Sequence, residues 1–283
     1  MNFTVSLPLK LSVSFYNWGQ NSDNYLVLFK KIEKLNLFSL SFEFDQESLY
    51  QFNELKDKLS FKAFKKILAI DYSLFNEDLY KTGLFSEIEV SVPFDTDADS
   101  LNHFLKTRGS SVKAVNFLLT RENTNIFRII LSFSKRNNVK INIPNPNLIR
   151  YGKELLKVHL RAEDLKNLYE LKESVRASRM EIHDYFLAKF FELPDAQKFQ
   201  GCQAGRLLGH MENGMLYPCS SIPVAIGSLL EYDFEFLWKE AYNMVKDMAD
   251  KCCIDCFCKK SCNLGCIGNA LYLGSFKDPL CEV

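Results

Sequence analysis

Apolar residues in the first half of the chain recur in short runs separated by longer stretches of helical period. Runs at residues 10–15, 37–44, 66–70, 88–92, 114–119 and 139–143 are brief and rich in β-branched and aromatic side chains, and they predict six strands. Between them the spacing predicts amphipathic helices. One covers residues 25–35 with Asp23 or Asn24 as cap, and one covers 47–59 with Leu49, Phe52, Leu55 and Leu59 on a single face. Another follows an acidic start at 97–107. Strands at intervals of about 20 to 30 residues with helices between them are the pattern of repeated βα units and a parallel sheet.

Ile143-Pro-Asn-Pro-Asn147 breaks this rhythm, because neither proline can donate to a ladder and each biases its predecessor away from helix. A charged helix is predicted over 162–176, with Leu165, Leu168 and Leu171 on one face. Residues 180–193 fit a strand or a helix equally well by periodicity.

Composition divides the chain in two. All nine cysteines lie at or after position 202, and eight of twelve glycines fall at or after position 201, where backbone is expected to wrap closely around something. With 35 basic and 35 acidic residues the chain carries no net charge, which gives no electrostatic case for nucleic acid or an anionic membrane surface. No run approaches the ~18 apolar residues of a membrane-spanning helix. The stretch from Met1 to Trp18 lacks a basic leader and a small-residue cleavage site, so a cytoplasmic location is expected. In a reducing cytoplasm, clustered cysteines point to metal more than to disulfides.

The cysteine framework begins at Gly201-Cys202-Gln203-Ala204-Gly205 and runs through His210 to Cys219, with Asn213-Gly214 as a hairpin signal that brings Cys202 and Cys219 toward one site. It continues as Cys253-x2-Cys256-x5-Cys262-x3-Cys266, with Cys281 near the end. Short intervals let neighbouring backbone wrap soft thiolates around one face of an iron–sulfur cubane, while a fourth ligand comes from far along the chain. Gly265 and Gly268 would let backbone approach inorganic sulfur. Structural zinc is the alternative for Cys-x2-Cys pairs.

Taken together, Cys202-x11-Gly214-x4-Cys219, Cys253-x2-Cys256-x5-Cys262-x3-Cys266 and Cys281 resemble the SPASM domain of radical SAM peptide-modifying enzymes. The resemblance covers the chain from about Gly201 to Val283. It implies two auxiliary [4Fe-4S] clusters, with Cys253, Cys256, Cys262 and Cys281 ligating the second completely and Cys202, Cys219 and Cys266 serving the first. Fully ligated members have a further cysteine several residues before the position of Cys202, and residues 190–200 contain none. The first cluster would then have an open iron, filled by Asp195, water, a partner thiol, Cys252 or Cys258, or it would be [2Fe-2S] or absent.

A βα-rich half ahead of such a domain resembles the partial (β/α)6 barrel of radical SAM proteins, placing a boundary at 195/196 with a degenerate barrel before it and the iron–sulfur domain after it. The family's Cys-x3-Cys-x2-Cys after the first strand is missing: the chain reads Ser14-Phe-Tyr-Asn-Trp-Gly-Gln-Asn-Ser-Asp-Asn24 there. The Gly-Gly-Glu-Pro turn is replaced by Asp45-Gln46-Glu47-Ser48. No S-adenosylmethionine is therefore expected, and the chain is similar to GeoRSP-type SPASM domain proteins, companions of a true radical SAM enzyme. The resemblance implies an accessory protein for peptide modification, relaying electrons or presenting substrate to a radical SAM/SPASM enzyme and a precursor peptide. Two other functions compete. One is an enzyme using an open cluster iron as a Lewis acid, and the other is a binding module stapled by metal.

Outside the cysteines, His210 is expected to be simply hydrogen-bonded, and His103, His159 and His183 have no partner pattern. Tyr16, Trp18, Tyr72 and Phe94 near strand ends are read first as core. Asp45, Glu47, Asp71, Asp95 and Asp97 are helix caps or the lining of a polar groove. No phosphate-binding glycine loop and no nucleophile with a paired base is found.

Overall fold

The computed structural model describes residues 8–16, 22–76, 83–152, 154–194, 201–252, 265–274 and 276–281. Along the chain, β1 (Lys10–Phe15), α1 (Ser22–Glu33), β2 (Ser39–Phe44), α2 (Gln46–Leu55), β3 (Lys65–Asp71), β4 (Glu87–Val92), α3 (Ala98–Arg108), β5 (Ala114–Phe117), α4 (Thr124–Asn137) and β6 (Lys140–Ile143) come first. They are followed by α5 (Leu148–Tyr151), α6 (Glu154–Val158), a 3-10 segment (Ala162–Leu171), α7 (Lys172–Arg176), β7 (Met180–Ile182) and α8 (Tyr185–Phe190). The chain then forms β8 (Leu208–Glu212), β9 (Met215–Tyr217), β10 (Gly227–Ser228), α9 (Phe234–Lys251) and a π-helical turn (Asn269–Leu273). The protein is α/β with mostly parallel strands.

All six predicted strands form, with ends close to those predicted. The predicted helix 25–35 forms as α1 but starts earlier, at Ser22, so that Asp23 lies in its first turn. Predicted helices 47–59 and 97–107 are α2 and α3, capped by Asp45 and Asp97, whose carboxylates accept from the amides of Ser48 and of Asp99 and Ser100. The undecided segment 180–193 is both things in turn, a strand (β7) and then a short helix (α8) capped by Asp184.

Contacts divide the chain into two compact units, one of residues 1–70, 74–88 and 203–247, the other of residues 71–73, 89–202 and 248–283. In the first, β1 pairs in parallel with β2 on one side and β8 on the other, and β2 pairs in parallel with β3. β8, β9 and β10 are antiparallel neighbours. One face of β1 and β2 presents Leu11, Val13, Phe15, Phe42 and Phe44 to a core completed by Tyr25, Phe29, Phe52 and Phe61. Those rings interlock at centroid distances such as 5.4 Å for Phe15–Phe44 and 4.7 Å for Phe44–Phe52, in the range of favourable aromatic pairs. The apolar stripe Phe234, Leu237, Trp238, Ala241 and Val245 of α9 is buried, with the Trp238 ring lying against Gly209 of β8.

In the second unit β4, β5, β6 and β7 pair in parallel in that order. Helix α4 buries Ile126, Phe127, Ile130 and Leu131, and Phe127 packs between Phe117 and Phe191. Leu118, Leu148, Leu155 and Val158 form a further cluster, against which Tyr272 and Leu273 of the C-terminal segment pack. Tyr72 meets the ring of Phe104 and Phe94 meets that of Tyr151, both as packing contacts. Trp18 lies outside the described residues.

Candidate functional site

Asn213 (φ 50°) and Gly214 (φ 83°) take the two left-handed positions that a two-residue type I′ hairpin turn demands. The Asn213 side chain also clasps Tyr16, accepting from its amide at 3.1 Å and donating to its carbonyl at 2.8 Å, which fixes the hairpin to the end of β1. At the open end of the hairpin the Gly205 amide donates to the Pro218 carbonyl at 3.2 Å. The backbone shortly after Cys202 is thus bonded to the residue before Cys219. Both cysteines are half-buried.

The second described part of the cysteine framework is the C-terminal segment of the second unit. Cys266 is buried, and its amide donates to Asp278 Oδ2 at 3.1 Å. The other oxygen of that carboxylate accepts from the Leu280 amide at 2.9 Å, and the Cys281 amide donates to the Asp278 carbonyl at 2.9 Å. Asn269 donates from its amide to Cys266 Sγ at 3.5 Å and from Nδ2 to Asp184 Oδ2 at 3.3 Å. Burial pushes the carboxyls of Asp184 and Asp278 upward, and for Asp278 the charge of Asp184 adds to it. Asp184, Asn269 and Asp278 are residues that cysteine spacing does not reveal. The local signal near them is Asp278-Pro279, a turn-forming pair.

Gly265 takes φ +60°, and a Cβ there would lie 2.6 Å from Phe186 Cε2 and 2.9 Å from Asp278 Oδ2. The space beside it is filled by this ring and this carboxylate. Gly268 opens the π-helical turn with ordinary helical angles.

Cys253, Cys256 and Cys262, with Cys258, lie outside the described residues, as does Asp195. Cys252 is buried. Among the described residues, no three His, Cys, Asp or Glu side chains form a group that could hold a metal ion. Thiolate is the soft donor that an iron–sulfur group takes. Cys202, Cys219, Cys266 and Cys281 all sit in turns or loop segments, and thiolates on such backbone can converge on soft metal.

A second feature is a polar strand face in the first unit. Ser12 is in register with Ser41 of β2 and His210 of β8, and Ser14 with Glu43 and Glu212. His210 is buried, with Nδ1 2.8 Å from Ser12 Oγ and Nε2 3.4 Å from Glu212 Oε2, while Ser14 Oγ donates to Glu43 Oε2 at 3.4 Å. His210 is therefore hydrogen-bonded, as expected. Alternation such as Leu11-Ser-Val-Ser-Phe15 signals this face, since a parallel strand with two apolar faces reads as a continuous apolar run.

No protein-family model matches the chain, and no curated protein matches it. No helix among the described residues is long and apolar enough to cross a membrane.

Proposed function

We propose that this chain is a cytoplasmic iron–sulfur accessory protein that works with a radical SAM enzyme on a precursor peptide. The observation that carries the reading is a set of short backbone ties beside the cysteines: the Gly205 amide, shortly after Cys202, bonds the carbonyl of Pro218, which precedes Cys219, and the amides of Cys266 and Cys281 both bond Asp278. These ties support the reading because loops that carry thiolates of a cluster need backbone that holds them in place. On this reading Cys202, Cys219 and Cys266 hold one cluster, and Cys253, Cys256, Cys262 and Cys281 the other. The clusters would supply one-electron transfer.

The alternation of β1 to β6 with helices α1 to α4, with a 3-10 turn after β3, supports a partial (β/α)6 barrel over residues 1–195, and the cysteine spacing supports a SPASM domain over 196–283. The segment after β1 that would carry the catalytic triad of cysteines has none, so no S-adenosylmethionine cleavage is assigned to this chain. The half-buried carboxylates of Glu43 and Glu212, beside buried Ser14 and His210, favour substrate presentation, because carboxylates accept from peptide amides.

Iron, acid-labile sulfide and zinc are measured in anaerobically purified protein, together with its electron paramagnetic resonance spectrum after reduction. About eight iron and eight sulfide per chain are expected for two cubanes. About four would leave one cluster, and zinc without iron would replace the redox reading by a stapled binding module. A stable anaerobic complex with a radical SAM enzyme is expected too, and an enzyme fully active without this chain would remove the accessory role.

A further inference from the structure

We infer that Asp278 is a positioning residue for the cysteine site, its carboxylate tying the backbone of Cys266 to the turn that presents Cys281. The inference deepens the metal reading above and rests on it for its final step. One carboxylate oxygen serves the Cys266 amide and the other the Leu280 amide, while the main-chain carbonyl of the same residue serves Cys281. A single residue thus receives three backbone hydrogen bonds, from both ends of the segment 266–281.

Its surroundings hold the arrangement in place. Asp278 is 2% exposed, Asp184 5% and Asn269 0%. A buried carboxyl is costly to place away from water, and an apolar side chain of similar volume would hold an ordinary turn at less cost. What an apolar side chain cannot do is accept from two separate amides at once. Asn269 extends the same frame, reaching the Cys266 sulfur with its amide and Asp184 with its side chain. Gly265 completes it, since any side chain there would collide with Asp278 Oδ2 and Phe186 and push the carboxylate off the Cys266 amide.

The consequence for the site is directional. The proposed ligand sets place Cys266 and Cys281 in different clusters, so a residue bound to the backbone of both sets the placement of one ligand of each. Fixing ligands by hydrogen bonds outside the metal's own shell is how proteins tune such centres.

The test compares the full-length protein, as isolated anaerobically, with Asp278→Asn, and uses Asp97→Asn, which alters the cap of α3, as control. Asparagine keeps one acceptor oxygen and replaces the other by a donor, so one of the two amides loses its partner. Amide hydrogen exchange at Cys266 or Leu280 is expected to quicken about tenfold in Asp278→Asn, the loss of one buried hydrogen bond, and to be unchanged in the control. In the same samples the reduced spectrum or the midpoint potential of the clusters shifts, or iron per chain falls. Unchanged exchange at both amides would show that no such tie exists. Altered exchange with iron content, spectrum and potential all like wild type would reduce Asp278 to a turn residue and overturn its role at the site.

Should Asp278→Asn not fold, the unmodified protein decides: slow exchange at Cys266 and Leu280 supports the tie, and exchange at the rate of exposed loops refutes it. If the wild-type protein holds no iron, the proposed function fails by that measurement, and the exchange arm still decides the tie separately.

Discussion

His159 has its ring buried in the second unit, and burial first, then the charges of Arg121 and Arg161, lower its pKa to about 4, with Asp164 opposing. An unfolded histidine titrates near 6.5, so below that pH the unfolded chain binds a proton that the native ring refuses. Stability attributable to His159 is therefore level above pH 6.5 and falls as pH drops toward 4, by about 3 kcal/mol in total. Asp184 and Asp278 act in the opposite sense. Their raised native pKa values add stability at low pH that is lost as pH rises through them. The difference between wild type and His159→Gln isolates the histidine. In urea unfolding, the gap in stability between pH 7 and pH 4.5 should be smaller in the variant, and an identical gap would show that His159 is not buried neutral. At this scale the helix caps were legible, because Asp45 and Asp97 act on amides close to themselves in sequence. Asp278 was not, because its partner Cys266 lies on the far side of the π-helical turn.

The hairpin of β8 and β9 was legible for the same local reason: Asn213-Gly214 is a conformational demand written in two residues. Its attachment was not, since the clasp on Tyr16 joins residues 197 positions apart. Asn213→Ala removes both bonds to Tyr16 and the side chain that best tolerates positive φ. We expect a loss of about 1–2 kcal/mol, read as a lower thermal midpoint. An unchanged midpoint would mean that the clasp contributes nothing. The predicted helix at 162–176 forms instead as a 3-10 segment through Leu171 followed by α7. Leu165, Leu168 and Leu171 are spaced by three, which matches three residues per turn and stacks all three on the buried side. Helices α4 and α9 were not among the predicted elements, although Phe234, Leu237, Trp238, Ala241 and Val245 carry helical spacing.

Cysteine usage places a boundary near residue 195, yet residues 203–247 pack with residues 1–70 and 74–88 in one unit. β1 is an interior strand only because β8 lies beside it. A chain ending at residue 202 would leave β1 as an unpaired edge and strip away α9 with Trp238, so it should aggregate on expression. Size-exclusion chromatography and thermal unfolding of that truncated chain are the check. A soluble monomer with a cooperative transition would show that residues 1–202 fold as a domain in their own right.

The sequence by itself determined the first six strands, the caps of α2 and α3, the hairpin turn and the thiol-rich composition, because each depends on residues a few positions apart or on side-chain type alone. Tertiary structure decided which strand β8 pairs with, that a polar row of Ser14, Glu43 and Glu212 crosses three strands, and that Asp278 reaches Cys266. Those are pairings between residues distant along the chain, chosen by burial and by the need of buried polar groups for partners, and no local pattern encodes them.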